Sequence, residues 1–363
     1  MKIALDGFEL GREAKGVGRV IYNLMNELPD LLPDCQFLVF TKERIGRSVH
    51  LRIEERLLPP RGGYLRWQNG PFRKALKKAN PDVLVASNYV LPLSCPWKSI
   101  LIEHDISVLS HPEWYPRRYA LTRRFLVRRS LEKAGLVVVP SHFVRDEIQA
   151  FFGIKSDKIK PIGWGIEDAF RRAPEEEVKR WRGRHGLAGK KVIGFLGSIF
   201  GRRHISELIR AVGRLRSEMP DAVLHLVGQD FGVLSGENAI AAGLPDWVLW
   251  DSSLPEEELS LFYSSVDAFA YLSEYEGFGF PPLEALACGT PSVLLKGSAL
   301  SEVFSGLAFM VDAPEPGLIA AALKTILIDE TKRFSLLNEF GSRREQFSWR
   351  KTAGEMAALI RSV

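Results

Sequence analysis

Cysteine is scarce in this chain: Cys35, Cys95 and Cys288 are the only three among 363 residues. Their odd number and scattered positions exclude a disulfide framework and point to free thiols in a reducing compartment. No run of about eighteen apolar residues occurs, so no membrane-spanning helix is expected. The opening MKIALDGFEL carries Asp6 where a secretory leader would run unbroken through apolar residues, so no leader is expected. His, Cys, Asp and Glu nowhere gather at metal-ligand spacing, so no metal is expected. Short-period repeats and low-complexity tracts are also missing. What remains is an ordinary globular composition, 46% hydrophobic and 26% charged, long enough for two domains.

The charge is divided unevenly. Residues 1–163 hold 27 Lys and Arg against 17 Asp and Glu, a net of +10, and the remainder nets −5. A basic half of this kind is suited to an anionic partner such as a membrane surface, a phosphorylated lipid or nucleic acid.

Short apolar runs bounded by turn residues recur along both halves. KIALDG, QFLVF, DVLVAS, SILIEHD and LVVVPS stand in the first, with KVIGFLGS, AVLHLVG, WVLWDSS, AFAYLS and PSVLL in the second. Several precede helical patterns, and this rhythm predicts α/β architecture with two doubly wound parallel sheets. The junction is placed in PIGWGIEDA, with Gly163 and Gly165 around Trp164. That gives domains over 1–163 and 164–345 and a closing helix over 346–363.

The most informative stretch is EGFGFPPLEALACGTP, Glu276 to Pro291. Pro281 and Pro282 suit a helix start, because proline at the first helical positions needs no N–H partner. Gly289 suits its end. Glu276 is thereby placed on a glycine loop and Glu284 in the first turn of the helix. Gly277 and Gly279 allow close approach of backbone N–H groups to a ligand, and a helix N-terminus favours an anion. Carboxylates accept hydrogen bonds from hydroxyls. A ligand both anionic and polyhydroxylated fits, as a nucleotide sugar is.

Two glutamates separated by seven residues, around GFG and a proline, resemble the retaining glycosyltransferases of the large family 4, whose members transfer glycosyl groups from nucleotide sugars. The resemblance implies the GT-B fold, two Rossmann-like domains facing a central cleft, with the last helix packed back on the N-terminal domain. It implies a nucleoside diphosphate sugar as donor substrate, with no cofactor. By the same resemblance Glu284 holds the ribose hydroxyls and Glu276 a hydroxyl of the sugar, helped by the backbone amides of Phe278, Gly279 and Phe280. After the strand VIGFLG, the string SIFGRRHISELIRA matches the family's diphosphate-binding motif, with Ser198 at its Thr, Arg202 at its Arg and Arg203 at its Lys. His204 replaces an Asn. Arg203, with His104 and Glu276, is assigned to catalysis. In KGVGRVIYNL, Gly16 and Gly18 resemble the N-terminal glycine loop that faces the donor, ahead of a helix read over about Val20–Leu28. His104 and Asp105 end the strand ILIEHD and match a His-Asp pair whose His approaches the transferred sugar.

WYPRRYALTRRFLVRRSLEKA carries six arginines, and Leu121 and Phe125 fall among Arg117, Arg124 and Arg128. Its faces do not separate into an inserting amphipath, which leaves electrostatic adhesion to an anionic leaflet. The function expected is transfer of a mannose- or glucose-like hexose to a hydroxyl of a lipid-linked or polysaccharide acceptor, in the cytoplasm or on the inner face of its membrane. The alternatives are a nucleotide-sugar epimerase of the same fold and a non-catalytic glycan- or nucleic-acid-binding protein. Nucleic acid is not expected as a partner, because no recognised nucleic-acid motif is present.

Overall fold

A computed structural model describes residues 1–11, 16–60, 62–234 and 243–363. The chain forms two compact units, Met1–Gly165 joined by Gln346–Val363, and Ile166–Glu345.

The first unit holds seven strands: β1 (Lys2–Gly7), β2 (Gln36–Thr41), β3 (Ile53–Leu57), β4 (Val83–Ala86), β5 (Lys98–Ile102), β6 (Leu136–Val139) and β7 (Ile159–Pro161). All pair in parallel, in the order β3-β2-β1-β4-β5-β6-β7. Helices cover the sheet, so the central strands read as unbroken apolar runs; VLVA in β4 is buried at every position. The helix Val17–Leu31 follows the glycine loop and is longer at both ends than the sequence reading. The closing helix Trp349–Ser362 starts at Ser348, whose side chain accepts from Lys351 N–H, and buries Trp349, Ala353, Met356 and Ile360. It is tied to the first unit by Thr352 Oγ1 donating to Gly163 O at 2.7 Å.

The second unit holds β8 (Lys191–Leu196), β9 (Ala222–Val227), β10 (Val248–Asp251), β11 (Ala268–Tyr271), β12 (Ser292–Leu295) and β13 (Phe309–Val311). Their order is β10-β9-β8-β11-β12-β13, again parallel throughout. In each sheet the order reverses once, beside β1 and β4 in the first and beside β8 and β11 in the second. Ligands of open α/β sheets bind outside the carboxyl ends of strands at such a switch point.

Among the described residues no helix is long and apolar enough to cross a membrane. The helix Arg117–Lys133 leaves Leu121 and Phe125, one helical turn apart, 69% and 67% exposed.

Candidate active site

In the second unit the switch point gathers the residues singled out from the sequence. The chain leaves β8 through Gly197 and Ser198 and tightens into a single 3-10 turn, Gly201–Arg203, before the helix Ile205–Leu215. It leaves β11 through Ser273 and reaches Glu276 three residues on. Arg203 Nη2 lies 3.2 Å from Glu276 Oε1, with both side chains largely withdrawn from solvent, at 12% and 19% exposure. Arg203 Nη1 donates to Ser198 O at 2.8 Å. Tyr271, from β11, donates to the same Glu276 oxygen at 2.8 Å, and the Arg203 guanidinium lies over its ring at 5.2 Å. Burial raises the Tyr271 hydroxyl well above its usual pKa, so it remains a donor. Two residues 73 positions apart thus form a part-buried cation–carboxylate pair on a tyrosine support.

Gly197 makes this possible. Its φ is +146°, and a Cβ there would come within 2.4 Å of Arg203 Nη1. Only glycine lets the guanidinium pass so close to the strand end.

The RRH turn is fastened to the Glu276 loop twice more. Glu274 N–H donates to Arg202 O at 3.0 Å, and His204 Nε2 lies 2.8 Å from Glu274 Oε1. His204 takes φ +52°, in the left-handed region. That region is several-fold enriched in Asn, Asp and His among non-glycine residues. The exchange of the family's Asn for His therefore preserves the backbone requirement. His204→Asn is expected to leave thermal stability nearly unchanged, whereas His204→Ile should cost about 1–2 kcal/mol, since left-handed backbone penalises a β-branched side chain. Equal melting temperatures for the two variants would contradict this account.

Arg202 stacks over Phe200 at 5.0 Å from the ring centroid. The helix Phe280–Ala287 is capped by Gly279 at φ +104°, with Pro281 and Pro282 in its first turn. Because it starts at Phe280, Glu284 lies in the second turn, not the first as the sequence reading had it. Glu284 is 4% exposed, and Tyr263 donates to its Oε2 at 2.5 Å. Tyr263 is held in turn by Thr290 Oγ1, which donates to its carbonyl at 2.6 Å. Gly277 and Phe278 are buried, and the Phe278 and Phe280 rings meet edge to face at 5.4 Å.

Gly16, Gly18 and His104 belong to the first unit. Gly16 caps the helix Val17–Leu31 at φ +52°. Gly18 sits inside its first turn, and a Cβ there would meet Glu9 O at 2.5 Å, so the position permits close packing of helix against loop. Arg12–Lys15, which include the Lys15 that opens the glycine-loop motif, lie outside the described residues. His104 follows β5 and packs between Tyr89 and Trp164. Burial lowers its pKa to about 4, so the imidazole is neutral at pH 7. Its Nε2 lies 3.0 Å from Ser87 O. A carbonyl only accepts, so Nε2 carries the proton and Nδ1 the lone pair. Asp105 accepts from Ser107 N–H at 2.8 Å and from its hydroxyl at 2.6 Å, fastening the short helix Ser107–Ser110.

Tyr271, Tyr263 and Glu274 were not read from the sequence. The tyrosines look like core residues of a strand and a helix, and Glu274 lies just outside the motif. No three His, Cys, Asp or Glu side chains form a metal-binding group among the described residues.

Two parallel-sheet units, the second with a cation–carboxylate pair at its switch point, define a GT-B fold. The family description "Glycosyl transferases group 1" matches residues 177–345, and "Glycosyltransferase Family 4" matches 14–170. The chain belongs to this glycosyltransferase family. It is 27% identical over 281 residues to O-antigen chain mannosyltransferase B of Escherichia coli, covering 76% of this chain and 73% of that protein. It is 32% identical over 268 residues to the MMP alpha-(1->4)-mannosyltransferase of Mycolicibacterium hassiacum, covering 71% of this chain and 62% of that one. The crystal structure of Anabaena HepE in complex with UDP and glucose superposes with a TM-score of 0.76 at 18% identity, over the full length of both chains. It is similar in fold.

Proposed function

We propose that this chain is a retaining glycosyltransferase that moves a mannose- or glucose-like hexose from a nucleoside diphosphate sugar to a hydroxyl of a lipid-linked or polysaccharide acceptor. The observation that carries the reading is the part-buried Arg203–Glu276 pair at the carboxyl ends of β8 and β11. A guanidinium held by Ser198 O, Glu276 and the Tyr271 ring is a preorganised cation. It meets the negative charge that grows on the leaving diphosphate without rearranging as the bond breaks. Arg202 adds a second charge, and Glu276 accepts from a sugar hydroxyl. Glu284, oriented by Tyr263, takes the ribose. His104, with its lone pair on Nδ1, accepts from a hydroxyl of the transferred sugar.

The bond from the anomeric carbon to the diphosphate oxygen breaks while the acceptor oxygen attacks from the same face. The departing phosphate oxygen takes the acceptor's proton. No side chain is assigned as a nucleophile, so the proposal is front-face transfer with retention. The mannosyltransferase names of the two relatives support a mannose donor, and the O-antigen relative supports a polysaccharide acceptor. Donor hydrolysis measured across UDP-, GDP-, ADP- and dTDP-hexoses tests the reading; turnover of none of them, with or without acceptors, would sink it.

With two arginines facing the diphosphate, no metal is required for charge neutralisation. Activity is expected to survive EDTA, and a full loss restored by magnesium or manganese would contradict this.

The exposed Leu121–Phe125 pair among Arg117, Arg124 and Arg128 supports a peripheral contact with an anionic membrane surface. Basic residues near such a surface contribute about 1 kcal/mol each. Co-sedimentation with phosphatidylglycerol vesicles should fall when these three arginines become glutamine; equal sedimentation by the triple variant would remove the contact.

A further inference from the structure

A cavity of about 320 Å³ opens at the other end of the second sheet, away from the Arg203–Glu276 pair. Its floor is made by residues that precede strands: Gly189 before β8, Val266 and Asp267 before β11, Gly289 before β12. Its walls carry Arg172, Lys179, Arg182 and Arg333 against Glu175 and Asp267, an excess of two positive charges.

These cations are not equally committed. Arg182 is part of the frame: Nη2 pairs with Asp267 at 2.9 Å and Nε donates to Ser265 O at 2.8 Å. Arg172 lies a loose 3.8 Å from Glu175, and Lys179 pairs outward with Glu176 at 3.0 Å. Arg333, half-buried at the rim, has no side-chain hydrogen bond or ion pair among the described residues. A half-buried guanidinium without a partner, facing a cavity with two more cations, is suited to an anion. The volume exceeds that of a bare phosphate and lies at the lower end of the range for small-ligand sites. Glu175 is placed to meet hydroxyl groups.

We infer that this cavity binds a phosphate monoester of a sugar and acts as an effector site for the donor site. The connection is short. Ser264 of the cavity follows Tyr263, which holds Glu284, and Gly289 of the cavity precedes Thr290, which holds Tyr263. The helix Phe280–Ala287 therefore ends at the cavity, and Glu284 lies within it. A ligand that shifts Gly289 or Ser264 displaces the support of Glu284, and coupling of this kind is reciprocal.

Calorimetric titration of the full chain with glucose 6-phosphate tests this, with inorganic phosphate and glucose as separate arms. Arg333→Glu and, independently, Lys179→Glu should each weaken glucose 6-phosphate binding at least tenfold. Arg203→Ala, which alters the other end of the sheet, should leave it unchanged. Glucose 6-phosphate should also shift the affinity for GDP and UDP at least threefold, and Arg333→Glu should abolish the shift. No binding at millimolar concentration, or binding lost in Arg203→Ala and kept in Arg333→Glu, would overturn the site. Phosphate binding as tightly as the ester would overturn the ligand class. Unchanged nucleotide affinity would overturn the effector role.

Discussion

Arg203→Ala is expected to lower the transfer rate by about two orders of magnitude, as loss of a preorganised charge-stabilising donor commonly does. It should also weaken binding of the nucleoside diphosphate, and the rate effect should be the larger, because the charge Arg203 meets grows towards the transition state. The geometry adds a second consequence. Glu276 is paired with Arg203 and bonded to Tyr271. Without the guanidinium, a carboxylate largely withdrawn from solvent loses its counter-charge, so Arg203→Ala should also lower the melting temperature. Arg203→Lys keeps the charge but loses the fork that spans Ser198 O and Glu276, so an intermediate rate is expected. Calorimetry and steady-state kinetics on the two variants decide the matter. Unchanged nucleotide affinity together with an unchanged rate in Arg203→Ala would falsify the assignment.

The central strands of both sheets were legible because they are buried on two faces and read as apolar runs. The strands missed were β3, β7 and β13, and each lies at a sheet edge. IEERL in β3 is largely polar and half-exposed, and β7 and β13 have three residues each, so periodicity had little to act on. The proline pair marks a helix start in the sequence, yet the helix carrying Glu284 begins one residue earlier, at Phe280. Within the candidate site, the motif residues could be located but their supports could not. Tyr271 in AFAY and Tyr263 in LFYSS have the pattern of core residues, and only the folded chain shows their hydroxyls on Glu276 and Glu284. Gly197 likewise reads as an ordinary strand-end glycine until the Arg203 guanidinium is found against it.

Glu276→Ala and Glu284→Ala are expected to separate the two halves of the donor. Glu276 is proposed to meet the sugar, so its removal should cut the transfer rate far more than it weakens the sugar-free nucleotide. Glu284 is proposed to meet the ribose, so its removal should weaken the nucleotide itself. Each loss should be about 1–3 kcal/mol, the range for hydrogen bonds to charged groups. Glu284 is buried against Tyr263, so its alanine variant also leaves Tyr263 without an acceptor and could lose stability for that reason alone. Tyr263→Phe separates the effects: it keeps the carboxylate, removes its orienting donor, and should weaken nucleotide binding without moving the relative rates of different sugars. Equal nucleotide affinities in the two alanine variants would end the division of roles. Stereochemistry gives the sharper result. Front-face transfer from an α-linked donor leaves an α-linked product, which the one-bond carbon–proton coupling at the anomeric centre reads directly for manno- and gluco-configured sugars alike. A β-linked product would require attack from the opposite face with a side chain taking the acceptor's proton, and the assignment of that proton to the leaving phosphate would then be wrong.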